Sequence, residues 1–423
     1  MSDAEQQVTL QQITIKGYRS CDGTIFQPHH HLSALIGING VGKTNILNAI
    51  HLLSPQDARR FSRVEPEDQS KAKTLITAWF LVNGKRIGLR LTVVLSSAGR
   101  SDGEVLNYDE EWNVASLTNS SKWYAFPALI YFDDSKMSRM YQRELLLFRN
   151  SYELKKGSLS QLDSSSLLDN KEVLEAIECV VQFRKRINYY SASQFTDPTR
   201  CPSNFELDGD KRLEMSARSV KGHLRFLFDL YSLRDKNIDL YNEYVAFVSR
   251  QQLGLISRLS WKEIRLSAHT AEVRSQGTVK KVKRYKTLIV PRIQIGSSHI
   301  AFNQLSEGTF KTLAMIFYIM TDASSCLLIE EPEVCVHHGL LTRIVNTICV
   351  YSKAKQVIFS THSDLVLDNI SQENVFVVDM RKGITHVTAL SKWAGTGGIR
   401  ALNAYMQETG TLGEYWRSGG FSS

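Results

Sequence analysis

The chain has 423 residues, 43% of them hydrophobic and 22% charged, and a formal net charge of +8. This is the composition of a globular protein with room for two or three domains. Its mild excess of basic residues permits contact with nucleic acid without requiring it. No apolar run approaches the roughly 18 residues that cross a membrane, and the polar N-terminus lacks a signal-peptide segment. None of the six cysteines forms a CxxC pair, so we expect a cytoplasmic protein with free thiols.

The first elements of interest lie upstream of residue 32. Alternating apolar residues in ITIKGYRSC, residues 13–21, predict a strand. This strand either feeds a functional site or is an edge strand with a solvated Arg19. Three consecutive histidines at 29–31 follow Pro28. Because no acidic residue or cysteine lies beside them, they predict a surface loop, and a metal site is the alternative interpretation.

A phosphate-binding motif follows. Residues 32–50, LSALIGINGVGKTNILNAI, contain G-x-x-x-x-G-K-T between an apolar strand and an apolar helix pattern, which is the context of a P-loop. Glycines let backbone N–H groups approach phosphate oxygens, and the helix N-terminus favours an anion. Lys43 would bridge the β- and γ-phosphates of ATP, and the Thr44 hydroxyl would bind Mg²⁺. The expected nucleotide-binding residues are Gly37, Asn39, Gly40, Gly42, Lys43, Thr44 and Asn45.

The long middle of the chain reads first as strands and then as helices. Residues 72–132 alternate as strands do, with a turn at Asn83-Gly84. Residues 135–188 have the 3.6-residue period of helices, and a second helical block covers about 210–260. Neither block has sustained heptads, so we expect a compact insertion and no long coiled coil.

A basic segment follows the helical blocks. TVKKVKRYK, residues 278–286, holds five basic side chains and one aromatic side chain. A basic strand or hairpin of this kind would follow a nucleic-acid backbone. The alternative is the solvated face of an ordinary strand.

Three elements with polar ends come next. The segment LSEGT precedes an amphipathic helix, so the Ser306 hydroxyl and the Gly308 N–H would form a second anion site at a helix start. The strand pattern CLLIEE ends in Glu330 and Glu331, and the strand pattern QVIFSTHS ends at His362 and its neighbours. Two adjacent carboxylates at a strand end either extend into solvent or serve a metal and a reacting water.

The order and spacing of these motifs resemble the ABC-type ATPase head of the SMC, RecF and OLD families. The resemblance implies an α/β fold, in which a P-loop head has a mixed central sheet, an antiparallel β-lobe and a compact helical insertion. Residues 1–134 and 291–423 would form the head, and residues 135–290 the mainly helical insertion. The resemblance also implies that the LSEGT signature of one protomer presses on the γ-phosphate held by another, so that ATP joins two heads.

The same resemblance implies roles for individual residues. Glu330 would take the Walker B position and hold Mg²⁺ through a water, Glu331 would polarise the attacking water, and His362 would contact the γ-phosphate. Gln194 is either a Q-loop residue that senses Mg²⁺ or part of a structural turn. The usual Walker B residue is Asp. Glu330 therefore leaves two interpretations open, which are catalysis with slow turnover and an ATP-binding clamp with little hydrolysis.

The chain resembles in particular the AAA15/AAA21 group of OLD-like ATPases. The stretch 189–209 and the ending TLGEYWRSGGF, residues 411–421, are similar to segments of that group, and the ending is expected to form a helix and tail for packing or partner contact. OLD-type nucleases continue into a TOPRIM domain, for which the chain is too short. We therefore expect an ATPase that is not itself a nuclease.

Family members of this size commonly act in bacterial antiphage defence, as the ATPase subunits of Septu, PARIS and retron-associated systems do. The resemblance therefore implies that function for this chain. In those systems a homo-oligomeric ATPase controls a separate nuclease or toxin, and an HNH-type nuclease is the expected partner. A RecF-like DNA-repair clamp, whose ATP-driven dimer grips DNA, is the alternative that segment 278–286 favours. A non-hydrolysing ATP-dependent scaffold is a third.

Overall fold

The computed structural model describes residues 8–54, 73–96, 105–118, 121–125, 170–191, 195–208, 222–249, 252–273, 279–334, 336–408 and 410–418. By the density of internal contacts the chain divides into two units. The first contains residues 1–189, 323–331 and 352–423, and the second contains residues 190–322 and 332–351. The head and insertion boundaries expected at residues 134 and 290 stay a prediction.

An antiparallel sheet in the first unit contains strands expected between residues 72 and 125, and the rest of that prediction, residues 126–132, lies outside the described residues. Its strands are β1 (Val8–Lys16), β2 (Thr24–Phe26), β4 (Lys73–Val82), β5 (Lys85–Ser96), β6 (Val105–Asn113) and β7 (Tyr124–Ala125), in the order β2-β1-β4-β5-β6-β7. Buried residues alternate with more exposed ones along β4, because one face of the sheet packs on the core. The predicted turn joins β4 to β5 with φ of +49° at Asn83 and +80° at Gly84, as two-residue hairpin turns require.

A second six-stranded sheet brings the functional motifs together. Its strands are β3 (Leu32–Ile36), β8 (Ile187–Ser191), β13 (Cys326–Glu330), β14 (Gln356–Thr361), β15 (Val375–Arg381) and β16 (Ile384–Ala389), in the order β16-β15-β3-β14-β13-β8. β13, β14, β3 and β15 run parallel to one another, whereas β16 is antiparallel to β15. The sheet is therefore mixed, as expected. Because β3, β13 and β14 are parallel, their carboxyl ends lie at the same edge.

Helices of the first unit flank these sheets. Within the described residues they are α1 (Lys43–His51), α2 (Ala115–Thr118), α3 (Lys171–Lys185), α8 (Asp364–Leu367), α9 (Leu390–Trp393), α10 (Gly395–Glu408) and α11 (Leu412–Arg417), and a 3-10 turn covers Gln372–Asn374. α3 begins after Asn170, whose side chain accepts hydrogen bonds from the N–H groups of Glu172 and Val173, an N-cap of the expected kind. α11 confirms the helix predicted in the tail.

One apolar core of the first unit includes side chains of both sheets, of α1 and of α3. Within it the guanidinium of Arg184 lies 2.8 Å from the carboxylate of Glu110, and the two side chains are 0% and 2% exposed. Arg184 Nε also donates to the carbonyl oxygen of Leu53 at 2.8 Å. Two buried charges are tolerated here because each has the other as a partner.

The second unit combines four helices with a small sheet. Its described elements are α4 (His223–Lys236), α5 (Ile238–Val248), α6 (Glu307–Thr321), α7 (His338–Tyr351), β9 (Phe205–Asp208), β10 (Arg258–Val273), β11 (Val279–Ile295), β12 (Ser298–Ile300) and 3-10 turns at Pro198–Arg200 and Phe302–Gln304. Phe226 on α4 packs edge to face against Phe302, Phe310 and Phe317, so aromatic rings join α4 to α6.

Several element predictions can be compared with these bounds. The second helical block contains α4 and α5, but its predicted end near residue 260 is too late, because β10 begins at Arg258. The basic segment lies mostly in β11, which pairs with β10 along their length, so the predicted strand and hairpin are confirmed. The first helical block is expected at 135–188, and its part before residue 170 lies outside the described residues. Among the described helices, none is long and apolar enough to span a membrane.

Candidate functional site

The P-loop connects β3 to α1 in the predicted strand–loop–helix order. Gly40 and Gly42 have φ of +85° and +99°, which residues with a side chain rarely adopt. A Cβ on Gly37 would lie 2.4 Å from the carbonyl oxygen of Val378. The shape of the loop therefore requires glycine at all three positions. Asn39 is exposed in the same loop.

Lys43 begins α1 and is only 4% exposed. Its Nζ donates to the carbonyl oxygens of Gly37 at 2.7 Å and of Ile38 at 3.0 Å. The ammonium group thus lies against the loop in which the sequence predicts the phosphates. A phosphate at this loop would meet both a helix N-terminus and a cation, the two features that favour an anion.

Residues from outside the motif support the P-loop and α1. The Asn45 side chain donates to Ser20 Oγ at 2.8 Å and accepts from the Arg19 guanidinium at 3.2 Å. The Ser20 and Thr385 hydroxyls lie 2.7 Å apart, and Thr385 Oγ1 donates to the carbonyl oxygen of Val41 at 2.9 Å. Arg19 is exposed, yet it is more than a solvated edge residue, since it contacts the helix that carries the candidate phosphate-binding side chains.

Thr44 and Glu330 are joined directly. Thr44 Oγ1 donates to Glu330 Oε1 at 2.6 Å, and the hydroxyl of Tyr189 donates to Glu330 Oε2 at 2.5 Å. Both carboxylate oxygens of Glu330 therefore have a hydroxyl partner. Thr44 and Glu330 are two of the three residues that the sequence predicts for Mg²⁺, and the fold brings them together although they lie on α1 and β13.

Glu331 and His362 lie at the carboxyl ends of neighbouring parallel strands. Glu331 follows β13, His362 follows β14, and Glu331 Oε1 is 3.6 Å from His362 Nδ1. The Glu331 N–H donates to the carbonyl oxygen of Ser360 at 3.1 Å. The φ of Glu331 is +44°, a left-handed conformation that costs a non-glycine residue roughly 1–2 kcal/mol. Its backbone contact with β14 helps to hold this conformation.

The expected signature segment lies in the second unit at the start of α6. Ser306 is the N-cap, and its Oγ accepts from the Thr309 N–H at 3.3 Å. Gly308 lies in the first turn, where its carbonyl oxygen accepts from the Thr312 hydroxyl at 2.7 Å. The predicted helix start is confirmed, and its contact with a nucleotide stays a prediction.

Two further candidates from the sequence are Gln194 and the three consecutive histidines. Gln194 lies outside the described residues, so its predicted metal-sensing role is not tested. The rings of His29, His30 and His31 follow one another with neighbouring centroids 4.1 Å apart, in the loop before β3. Over the described ranges, no group of three or more His, Cys, Asp or Glu side chains is placed to hold a metal ion.

The residues around Thr44 fit a nucleotide with its magnesium ion. A hydroxyl and a carboxylate 2.6 Å apart are oxygen donors of the kind that Mg²⁺ prefers. Mg²⁺ usually takes only one or two protein oxygens, because water and substrate phosphates supply the rest. The glycine-dependent loop and the Lys43 ammonium lie directly before Thr44 in the chain. These donors therefore match a triphosphate bound with its metal.

Comparison with known proteins agrees with this geometry. A protein-family model described as "AAA domain, putative AbiEii toxin, Type IV TA system" matches residues 32–368, about four fifths of the chain. The chain belongs to this AAA21 family. The matched range begins with β3 and ends just after α8, so it includes the P-loop, the signature segment, both carboxylates and His362. No match was found among curated proteins.

Solved structures of SMC heads resemble this AAA21 protein. "Crystal structure of the SmcHead bound to the C-winged helix domain of ScpA" matches with a TM-score of 0.51 and 13% identity over 91% of this chain and 98% of that chain. An Smc head with an extended coiled coil from Pyrococcus furiosus, bound to a domain of ScpA, gives a TM-score of 0.43 and 15% identity over 95% and 99% of the chains. The match with the TM-score of 0.51 shows that the AAA21 protein has the fold of an ABC-type P-loop ATPase head.

Tyr189, Ser20 and Thr385 contact the candidate site but are absent from the residues predicted from sequence. Ser20 and Thr385 are 365 positions apart, and neither belongs to a phosphate-binding pattern. Tyr189 offered one sequence signal, because it opens the aromatic stretch YYSASQF. The residue that this stretch predicts for the site is Gln194, and its tyrosines belong to no phosphate-binding pattern.

Proposed function

We propose that this AAA21 ATPase binds ATP at its P-loop and hydrolyses it with residues at the carboxyl edge of its parallel strands. The observation that carries the proposal is the arrangement of two pairs at this edge. Thr44 contacts Glu330 at 2.6 Å, and Glu331 lies 3.6 Å from His362. Thr44 and Glu330 suit a metal ion, and Glu331 and His362 suit a reacting water.

In this proposal each side chain has a chemical role. Lys43 would balance phosphate charge. Glu331 would accept a hydrogen bond from the attacking water and take up its proton, and His362 would donate a hydrogen bond to the γ-phosphate. Thr44 would hold Mg²⁺ directly and Glu330 would hold it through a water. The bound ion would supply positive charge against the negative charge that develops on the phosphate.

The proposal includes a homo-oligomer joined by ATP. Ser306 and Gly308 would contact the γ-phosphate held by a second protomer, as the resemblance to ABC-type heads implies. The geometry of α6 supports this, because Ser306 caps the helix and Gly308 lies in its first turn. The N-terminus of a 15-residue helix is a suitable place for an anion.

The biological role that we propose is control of a separate nuclease or toxin in bacterial antiphage defence. The family description, which names a toxin of a type IV toxin–antitoxin system, supports a setting in which one protein governs the activity of another. The resemblance to defence ATPases drawn from the sequence supports the same role. An HNH-type nuclease is the proposed partner.

Native mass spectrometry of the Glu331→Gln protein tests this role. The variant is expressed with its neighbouring open reading frames and purified with ATP and Mg²⁺. We expect an ATPase oligomer with a stoichiometric small nuclease or toxin, because the variant should hold ATP without hydrolysing it. Lys43→Ala, which should bind ATP more weakly, is the matched control. A bare ATP-bound dimer that carries only DNA would contradict the defence role.

A DNA clamp is the second candidate, and the β10–β11 hairpin favours it. The hairpin strands are 16 and 17 residues long, and β11 carries Lys280, Lys281, Lys283 and Arg284 in succession with only Val282 between them. Replacing these four residues by Glu should abolish DNA binding and its dependence on salt if the hairpin contacts phosphates. An unchanged DNA affinity with an unchanged dependence on salt concentration would exclude this contact.

A further inference from the structure

Tyr189 contacts the candidate site, although it belongs neither to the P-loop motif nor to the pair of carboxylates at the end of β13. Its hydroxyl donates to Glu330 Oε2, whereas Thr44 donates to Glu330 Oε1. Hydrogen bonds from a hydroxyl to a carboxylate are among the stronger ones in proteins. Glu330 is therefore held from two sides by side chains on different elements.

The ring of Tyr189 is itself fixed by its surroundings. Tyr189 lies on β8, the sheet neighbour of β13, and packs against the apolar core of the first unit. Its ring stacks on the His51 ring with centroids 5.3 Å apart and an interplanar angle of 22°. His51 ends α1, the same helix that carries Thr44, so both hydroxyl donors to Glu330 are positioned by α1.

A second hydrogen-bond donor matters more for Glu330 than it would for the Asp that is usual at this position. Its side chain has one more methylene than the Asp usual at this position, and it therefore has more rotamers to lose when its carboxylate is held in one place. A phenol keeps its proton at neutral pH, because its ordinary pKa is about 10. The Tyr189 hydroxyl is therefore a hydrogen-bond donor to Glu330.

We propose that Tyr189 is a positioning residue of the nucleotide site, whose hydroxyl holds Glu330 Oε2 so that Oε1 stays beside Thr44. This inference rests on the proposed function, in which Thr44 and Glu330 hold Mg²⁺. Removing the hydroxyl should release the carboxylate and weaken metal binding. The affinity for metal-free nucleotide should not change, since the Tyr189 hydroxyl donates to Glu330 and its ring stacks on His51, and neither of these residues belongs to the P-loop.

The test measures metal and nucleotide binding separately. Mn²⁺ affinity is measured by electron paramagnetic resonance with a non-hydrolysable ATP analogue, and the affinity for a fluorescent ATP analogue is measured in EDTA. Tyr189→Phe keeps the ring against His51 and removes only the hydroxyl. We expect Mn²⁺ binding about 10–100-fold weaker, the usual effect of losing a residue that orients a metal ligand, and unchanged nucleotide binding in EDTA.

Two further variants separate the possible outcomes. Tyr241→Phe is the matched control, because its hydroxyl accepts from Trp261 Nε1 at 2.9 Å in the second unit, and it should change neither affinity. Glu330→Gln should weaken Mn²⁺ binding if Glu330 holds the metal. Weak binding in Glu330→Gln with normal binding in Tyr189→Phe would overturn the inference alone. Normal binding in Glu330→Gln would overturn the proposed role of Glu330.

The Glu330→Asp background gives an independent check. A side chain one methylene shorter cannot keep both hydroxyl contacts, so Tyr189→Phe should change Mn²⁺ affinity less than about threefold in that background. An effect as large as in the native background would contradict a role through Glu330. Equal losses of Mn²⁺ binding and of nucleotide binding in EDTA for Tyr189→Phe would indicate general disruption of the fold and would also overturn the inference.

Discussion

The hydroxyl of Thr44 donates a 2.6 Å hydrogen bond to the carboxylate of Glu330, although 286 residues separate the two in the chain. The contact forms because β3 and β13 both pair in parallel with β14, so that α1 starts beside the end of β13. It links the first and last parts of the ATPase head. The candidate phosphate-binding loop and the acidic end of β13 thereby lie next to each other.

Lys43→Ala should weaken ATP binding by about 1.5–3 kcal/mol, the usual worth of hydrogen bonds to a charged group. The Lys43 ammonium lies on the Gly37 and Ile38 carbonyl oxygens, where phosphate oxygens would be within its reach. Titration with a fluorescent ATP analogue measures the change. Lys85→Ala, which removes an exposed lysine paired with Glu172, is the matched control. Normal nucleotide affinity in Lys43→Ala would contradict the P-loop assignment.

Glu331→Gly should abolish ATP hydrolysis and yet stabilise the protein by up to about 1 kcal/mol. The reason is that glycine adopts the φ of +44° without the steric cost that Glu331 bears. Urea unfolding and phosphate release measure the two effects. Lys382→Gly is the control, since Lys382 is exposed with φ of +52°, and it should gain stability with unchanged hydrolysis. Loss of stability in Glu331→Gly would show that its conformation is not strained.

Arg184→Ala should lower the free energy of unfolding by about 3–5 kcal/mol, because it leaves the Glu110 carboxylate buried without its partner. The pair is 2.8 Å apart and almost fully enclosed. Urea denaturation gives the change. Lys171→Ala removes a pair with Glu175 whose side chains are 91% and 52% exposed, and should cost no more than about 0.5 kcal/mol. Similar costs for both variants would refute the distinction between buried and exposed pairs.

Gly413→Ala should destabilise the protein by about 1–3 kcal/mol through overpacking. A Cβ on Gly413 would lie 2.2 Å from the carbonyl oxygen of Asp364, at the contact between α11 and α8. Gly339→Ala is the control, because its Cβ would meet nothing closer than 3.6 Å and alanine favours helix. If thermal melting shows no difference between the two variants, α11 does not pack closely on α8.

The contact at Gly413 gives the described part of the tail, residues 411–418, a packing role near the candidate site. Gly413 N–H donates to Asp368 at 2.7 Å, and Arg417 pairs with Asp364, two residues after His362. Leu412 is buried in the same cluster as Ile36, the last residue of β3. The helix was predictable from the sequence. The partners of its glycine were not, because they depend on where the chain returns after β14.

Local patterns predicted the parts of the site that follow from short-range geometry. The P-loop, the buried strands β13 and β14 and the capped start of α6 each have a pattern within about 20 residues, and all of them form where expected. The contacts of Glu330 with Thr44 and Tyr189 depend on the order of strands in the sheet. No local periodicity encodes that order, so Tyr189 could be found only in the folded chain.

In the second unit, too, local sequence patterns predict the helices better than the pairing of strands. The apolar period of α4 and α5 was recognisable, but the long hairpin was predicted only at its basic segment. β10 and β11 pair over 16 positions, from Arg258 with Gln294 to Val273 with Val279. Pairing between backbone groups sustains such a hairpin even where side chains do not alternate between apolar and polar, so sequence patterns indicate its length poorly.

Phosphate release by the native protein and by Glu331→Gln tests the central claim most directly. Both proteins are assayed with ATP and Mg²⁺ while equilibrium ATP binding is measured in parallel. The account predicts measurable hydrolysis by the native protein, a loss of about 10²–10⁴-fold in the variant, as expected when a general base is removed, and ATP binding at least as tight as in the native protein. Undiminished hydrolysis in Glu331→Gln would contradict the account, because Glu331 would then not be the base.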